Sequence, residues 1–206
     1  MDLGLIFFFI VIIPSAIVHE YAHALMADKL GDPTARQMGR LTLNPVAHID
    51  PVGTLLLPLL LFFSTGGRFL FAYAKPVPFN PFNLKDKKWG PAWVSVAGPL
   101  SNFVLALVFG LMVRFLPASN FTLFLSIVVY ANILLLVFNL VPIPPLDGSK
   151  VFFAILPASL DKFKFWLERF GFIILIAFIF FAFQWLVPIM FILFKLLTGQ
   201  YPVFLV

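Results

Sequence analysis

Apolar residues in this chain collect into long runs instead of alternating with polar ones. Four runs have close to the twenty or so apolar residues that a helix needs to cross a bilayer. They cover residues 3–28, 91–116, 121–142 and about 170–194. Shorter elements lie between them. Gly53 to Phe63 has only eleven residues with Pro58 at its middle, a length that predicts a re-entrant or interfacial segment. Gly148 to Leu156 reads as a short helix following Asp147. Ala158 to Phe170 mixes Lys, Arg, Phe and Trp, the composition of an interfacial amphipathic helix. Two stretches read as strands. Arg40 to Leu43 is short. Arg68 to Val77 is longer, with Phe69, Phe71, Tyr73 and Lys75 on one face and Leu70, Ala72 and Ala74 on the other. Pro76, Pro78 and Pro81 would confine the second strand to an edge. The pattern predicts an all-α polytopic membrane protein with a re-entrant segment and a small membrane-associated β-hairpin or sheet. No internal repeat or low-complexity linker divides it, so residues 1–206 are expected to form a single membrane-embedded domain.

Composition agrees with this pattern and narrows the chemistry. The chain is 62% hydrophobic and 11% charged, with a mean hydropathy of +1.04, values that exclude an ordinary soluble domain. A net charge of +5 in such a chain belongs to basic residues flanking the spans, not to nucleic-acid binding. There is no cysteine, hence no disulfide, thiol nucleophile or Cys-ligated metal. Any metal must be held by His and carboxylate. The first apolar run lacks a basic leading region and is too long for a cleaved signal peptide.

Charge placement sets the expected topology. If residues 53–63 do not cross, twelve basic residues share one face: Lys29, Arg36, Arg40, Arg68, Lys75, Lys85, Lys87, Lys88, Lys150, Lys162, Lys164 and Arg169. Arg114 and Lys195 remain on the other. The positive-inside rule makes the crowded face cytoplasmic and puts both termini outside.

The candidate chemistry lies in the first run, as His19-Glu20-Tyr21-Ala22-His23. Ionisable groups at membrane depth are costly and rarely accidental. On a helix, His19 and His23 point the same way one turn apart and can share one metal ion. Glu20 lies beside them, placed to act as a general base on water. This is the logic of HExxH zinc peptidases. A catalytic zinc usually takes a third protein ligand. His48 is one candidate and Asp147 the other. Asp147 follows Pro142, Pro144 and Pro145, which cannot sustain a regular helix and would let its carboxylate project toward the first span. The topology chosen by charge also brings His19, His23 and Asp147 to the same leaflet.

The membrane-embedded HExxH is followed by Gly98-Pro99-Leu100-Ser101-Asn102 and by the run from Asn139 to Gly148, which ends in Leu146-Asp147-Gly148. Together these motifs resemble the site-2 protease family of intramembrane zinc metalloproteases, over about residues 5–157. The resemblance implies a catalytic core of three transmembrane helices; the apolar pattern adds a C-terminal amphipathic helix and span at about 158–197. It implies one Zn2+ per chain held by His19, His23 and Asp147, with Glu20 as the catalytic base. It further implies a compact member without a PDZ domain. The implied activity is hydrolysis of peptide bonds in or near transmembrane segments of membrane-protein substrates. The protein would be a multi-pass integral membrane protein (of the cell membrane, if prokaryotic) with its site toward the cytoplasm. Its partners would be a transmembrane substrate and the lipid bilayer, not nucleic acid. Two other classes compete: a zinc-binding membrane transporter and a non-catalytic membrane scaffold. The outer halves of the spans carry almost no polar path, which disfavours the first. Glu20 is superfluous to a scaffold, which disfavours the second. Three residues keep two roles each. Asn139 could stabilise an oxyanion or bond a neighbouring helix. Asn102 and His48 could line the substrate path or serve local structure.

Overall fold

A computed structural model describes residues 3–50, Leu56, Leu60, Phe63, Lys75 and 77–202. Among these residues the architecture is helical. Helix α1 spans Leu3–Lys29 and the short α2 spans Thr34–Gln37. Helices α3 (Gly90–Phe115) and α4 (Asn120–Asn139) form an antiparallel pair against α1. The eight-residue α5 (Gly148–Ile155) follows, then α6 (Asp161–Phe181) and α7 (Leu186–Thr198). Three of these helices are long and apolar enough to cross a membrane, within Ile10–Lys29, Gly90–Phe115 and Asn120–Asn139.

The helices associate as expected where lipid removes the hydrophobic drive between them: small and polar residues face inward. Ala24, Ala27, Ala97, Ala106 and Ala131 are buried, as are Ser15, Asn102, Ser126 and Asn132. Large apolar side chains face outward. On α3, Leu100, Val104, Val108 and Leu111 form an exposed stripe at helical spacing. Ser119 caps α4 reciprocally with Thr122, which fixes where the chain turns back.

The end of the chain departs from expectation. An amphipathic helix at 158–170 followed by a straight span at 170–194 is replaced by α6 and α7, which meet at a break with a 65° bend. Pro188 accounts for its position. It has no N–H to donate and its ring would clash with a continuing helix. At the third position of α7 that missing donor needs no partner. Counted as one broken span, the pair makes a fourth candidate crossing. It also does more than anchor. Met190 and Phe194 of α7 complete a core with Ala106, Val113, Leu125, Val129, Ile133 and Val137 of α3 and α4. Leu175 of α6 packs on Val141 and Leu146.

The expected β-hairpin or sheet is corrected: among the described residues no strand forms. Arg40 to Leu43 is a bend, not a strand, because side chains take its neighbouring backbone groups out of reach of a ladder. Thr42 Oγ1 accepts from the Asn44 N–H at 3.1 Å, and Asn44 Oδ1 accepts from the Val46 N–H at 3.1 Å, opening a single turn at Pro45–His48. Arg40 donates to the carbonyls of Ala47 and Lys75. Most of the expected strand 68–77 and most of the re-entrant stretch 53–63 lie outside the described residues. The three described positions of the latter, Leu56, Leu60 and Phe63, are helical.

Asp32 ties the exit of α1 to the approach of α3. Its buried carboxylate accepts from the Thr34 N–H and hydroxyl, the Asn80 N–H at 2.6 Å and Asn83 Nδ2 at 2.8 Å. Burial alone would raise its pKa, but these donors outweigh it and hold the carboxyl below its ordinary value. A carboxyl lowered in the folded state stabilises fully above its ordinary pKa and loses that contribution as pH falls through the lowered value. Asp32→Asn should therefore lower the melting temperature in detergent by a few degrees at neutral pH. Its gap from wild type should stay constant down to about pH 5 and close below about pH 4. A gap independent of pH throughout would show that the charge contributes nothing.

Candidate metal centre

The site forms where α1, α3 and the loop after α4 meet. Helical spacing puts the rings of His19 and His23 together, with their Nε2 atoms 3.0 Å apart. The loop supplies the third group. Pro142, Pro144 and Pro145 lack amide hydrogens, so α4 cannot continue beyond Asn139. The chain turns through Ile143 N–H to the Val141 carbonyl at 2.8 Å and Leu146 N–H to the Ile143 carbonyl at 2.9 Å. Asp147 then stands at the entrance of α5, yet its side chain makes no capping bond. It points to the histidines instead: Oδ2 lies 3.1 Å from His19 Nε2 and 3.2 Å from His23 Nε2. Gly148 makes this path possible. A Cβ there would sit 2.7 Å from the Val141 carbonyl oxygen and closer still to that of Leu140.

The outer nitrogens of both rings are engaged. His23 Nδ1 lies 2.7 Å from the Val94 carbonyl oxygen, which can only accept. His19 Nδ1 lies 2.6 Å from Asn102 Oδ1. In both rings the proton therefore sits on Nδ1 and a lone pair on Nε2. Two imidazole lone pairs and a carboxylate oxygen thus face one another. Asp147 Oδ2 is buried and has no hydrogen-bond donor among the described residues. Three such acceptors at contact distance repel unless a proton or a metal cation joins them. Their spacing of 3.0, 3.1 and 3.2 Å is close to the roughly 3.3 Å that a tetrahedral zinc with bonds of about 2.0 Å imposes. The donor set suits zinc, and the outer bonds of both histidines are those that orient metal-ligating imidazoles.

Glu20 lies beside this triangle. Ligand-capable atoms of His19, Glu20 and His23 all lie within 4.8 Å of one another. Glu20 Oε2 accepts from the Val77 N–H at 2.9 Å. Asn102 is fully buried and belongs to the site's support, bonded to His19 and not placed on an open path. Asn139 donates from Nδ2 to the Leu135 carbonyl at 2.9 Å, one turn back on its own helix, instead of bridging to a neighbour through that group. His48 stays apart from the cluster. It is buried, with Nε2 2.8 Å from the Thr42 carbonyl oxygen. Sequence reasoning missed Ser15, Asn132 and the backbone groups of Val77 and Val94. For Asn132 a signal existed, since it is an amide in the middle of an otherwise apolar span.

These features define a helical protein with a candidate metal centre between membrane-length helices. The chain matches the model of Peptidase family M50 over residues 7–121 and 116–182. It is 35% identical over 178 residues to "Putative zinc metalloprotease YwhC" of Bacillus subtilis, covering 82% of this chain and 77% of that protein. Proteins named "Putative zinc metalloprotease Rip2" are 34% identical in Mycolicibacterium smegmatis and 33% in Mycobacterium tuberculosis, over 137 residues. Those alignments cover 65% of this chain, which spans about half the length of the Rip2 proteins. No solved structure matches. The chain belongs to Peptidase family M50, the site-2 protease family, whose members are zinc metalloproteases.

Gly98 offers a sharp check on the centre. A Cβ on Gly98 would lie 2.6 Å from His19 Nε2 and closer still to His23 Nε2, in the space a shared cation would need. Gly98→Ala should fold and insert like wild type yet retain only a small fraction of one zinc per chain, measured by elemental analysis of detergent-purified protein. A full equivalent of zinc in that variant would show that the cation sits elsewhere.

Proposed function

We propose that this protein is an intramembrane endopeptidase that cuts peptide bonds in or near transmembrane segments of other proteins. The observation that carries the reading is the meeting of His19, His23 and Asp147 beside Glu20, within helices long and apolar enough to span a membrane. In this reading His19, His23 and Asp147 hold one zinc ion. Zinc supplies Lewis acidity there and makes water nucleophilic at neutral pH. Glu20 takes the proton from the attacking water and returns it to the leaving amine nitrogen. The Val77 N–H holds one carboxylate oxygen of Glu20 and so sets the direction in which the other faces. Three protein groups would hold the ion, and a catalytic zinc so held would keep one position for water or the substrate carbonyl.

The substrate class follows from location. A bond at this depth reaches the site only from a neighbouring membrane segment, and a helical segment must unwind locally to expose its carbonyl carbon. The crowding of basic residues on the face that carries Lys29, Lys85 and Lys150 supports a site facing the cytoplasm of a multi-pass membrane protein. Asn139, at the last turn of α4 before the proline run, is retained as the candidate to stabilise the oxyanion.

The decisive comparison sets wild type against Glu20→Gln on a model transmembrane substrate, with zinc measured in both. The variant should keep its zinc and lose cleavage by about a hundredfold or more, since general-base catalysis is worth about 10²–10⁴. Equal cleavage by the two would remove Glu20 from the mechanism. Zinc-dependent transport into proteoliposomes without cleavage would replace the peptidase reading altogether.

A further inference from the structure

The two histidines are oriented by unlike means. His23 is set by a main-chain carbonyl, which no rotation can reverse. His19 is set by the side-chain amide of Asn102, and an amide turned over would present N–H in place of oxygen. Such a reversal would oblige His19 to carry its proton on Nε2, the atom that faces His23 and Asp147.

What keeps the Asn102 amide the right way round lies on α1 and α4. Asn132 Nδ2 donates to the Val128 carbonyl at 2.9 Å and to Ser15 Oγ at 3.0 Å. Its Oδ1 is thereby turned toward Asn102, whose Nδ2 donates to it at 3.0 Å and to the Ser15 carbonyl at 3.3 Å. The Val128 and Ser15 carbonyls can only accept, so they fix the sense of every bond between them. Asn102 Oδ1 is the atom left to face His19. Ser15, Asn102 and Asn132 are all buried, so water does not compete for these bonds. A buried asparagine that merely joined helices could run its bonds in either sense. Here only one sense leaves His19 a lone pair for a metal.

We propose that Asn132 is a positioning residue of the metal centre, which fixes the Asn102 amide and through it decides which nitrogen of His19 carries the proton. The inference rests on the zinc reading above. Without Asn132, the nitrogen of Asn102 keeps only its longer bond to Ser15, and the amide is free to turn. Outer-shell partners of metal-bound histidines are typically worth tenfold to a hundredfold in affinity.

The test uses full-length wild type and Asn132→Leu in detergent. Zinc affinity is measured by competition with a chromophoric chelator, and cobalt(II) is loaded as the spectroscopic probe. In the cobalt form the Nδ1–H protons of His19 and His23 give separate, paramagnetically shifted proton resonances. In Asn132→Leu, zinc affinity should fall by about tenfold or more. The His19 resonance should move or vanish through faster exchange with water, while that of His23 stays in place. Unchanged affinity with both resonances in place overturns the proposal. So does a displacement of both resonances alike, which marks a general loosening of the bundle. Should Asn132→Leu fail to fold, the smaller Asn132→Ser is read by the same two resonances. A wild type that takes up neither metal refutes the zinc reading itself, and this inference with it.

Discussion

Three acceptor atoms pressed together where α1, α3 and the loop after α4 meet are the constraint on which this structure turns. His19 Nε2, His23 Nε2 and Asp147 Oδ2 lie within 3.2 Å of one another. A buried carboxylate oxygen without a donor is among the more expensive arrangements a protein can hold. It becomes favourable when a cation supplies the missing charge. Much of the local architecture serves that meeting. The spacing of the two histidines supplies one edge of the triangle. The prolines after α4 end a helix that would otherwise carry Asp147 away. Gly98 keeps α3 from filling the space between the rings.

The surrounding helices are consequently tied by direction as well as by contact. Polar groups run without interruption from the Val128 carbonyl on α4 through Asn132, Ser15 and Asn102 to His19. Between apolar helices such bonds have few competitors, so their sense is preserved over several links. The C-terminal helices act from the other side. Leu175 of α6 braces Leu146, the residue before Asp147, and α7 fills the cleft between α3 and α4. A segment that reads as a further membrane crossing is thus part of the wall that holds Asp147 in place.

What the amino-acid pattern disclosed, and what it hid, divides along the range of the interactions. The pairing of His19 with His23 is local to one helix and follows from a period of 3.6 residues. The end of α4 follows from the chemistry of three prolines. Both were legible. The bond between Asn102 and His19 joins residues 83 positions apart and depends on how α3 is rotated about its axis, which an apolar sequence hardly encodes. The role of Gly98 was hidden for the same reason, since a motif records the residue but not what faces it. The strand expected at Arg40 to Leu43 failed through local competition: Thr42 and Asn44 supply the backbone partners that a ladder would have offered. The bend before Pro188 was missed because length and hydropathy alone count a broken span as a whole one.

Glu20 completes the logic from the opposite direction. Its neighbours His19 and His23 look inward to the cation site, whereas Glu20 is steadied from outside the bundle by the main chain at Val77. That main chain is itself held, since both backbone groups of Lys75 are bonded: its N–H to the His48 carbonyl at 3.0 Å and its carbonyl to Arg40. His48 and Arg40 thus bear on the position of Glu20 through the backbone they anchor. A main-chain donor cannot ionise or change rotamer, so the Val77 N–H fixes one carboxylate oxygen of Glu20 in place. Under the proposed mechanism, a neutral donor on the base and a rigid acceptor set for the cation are two requirements of one site. Here they are met by different parts of the chain, the first by the main chain at Val77 and the second by α1 and the loop after α4.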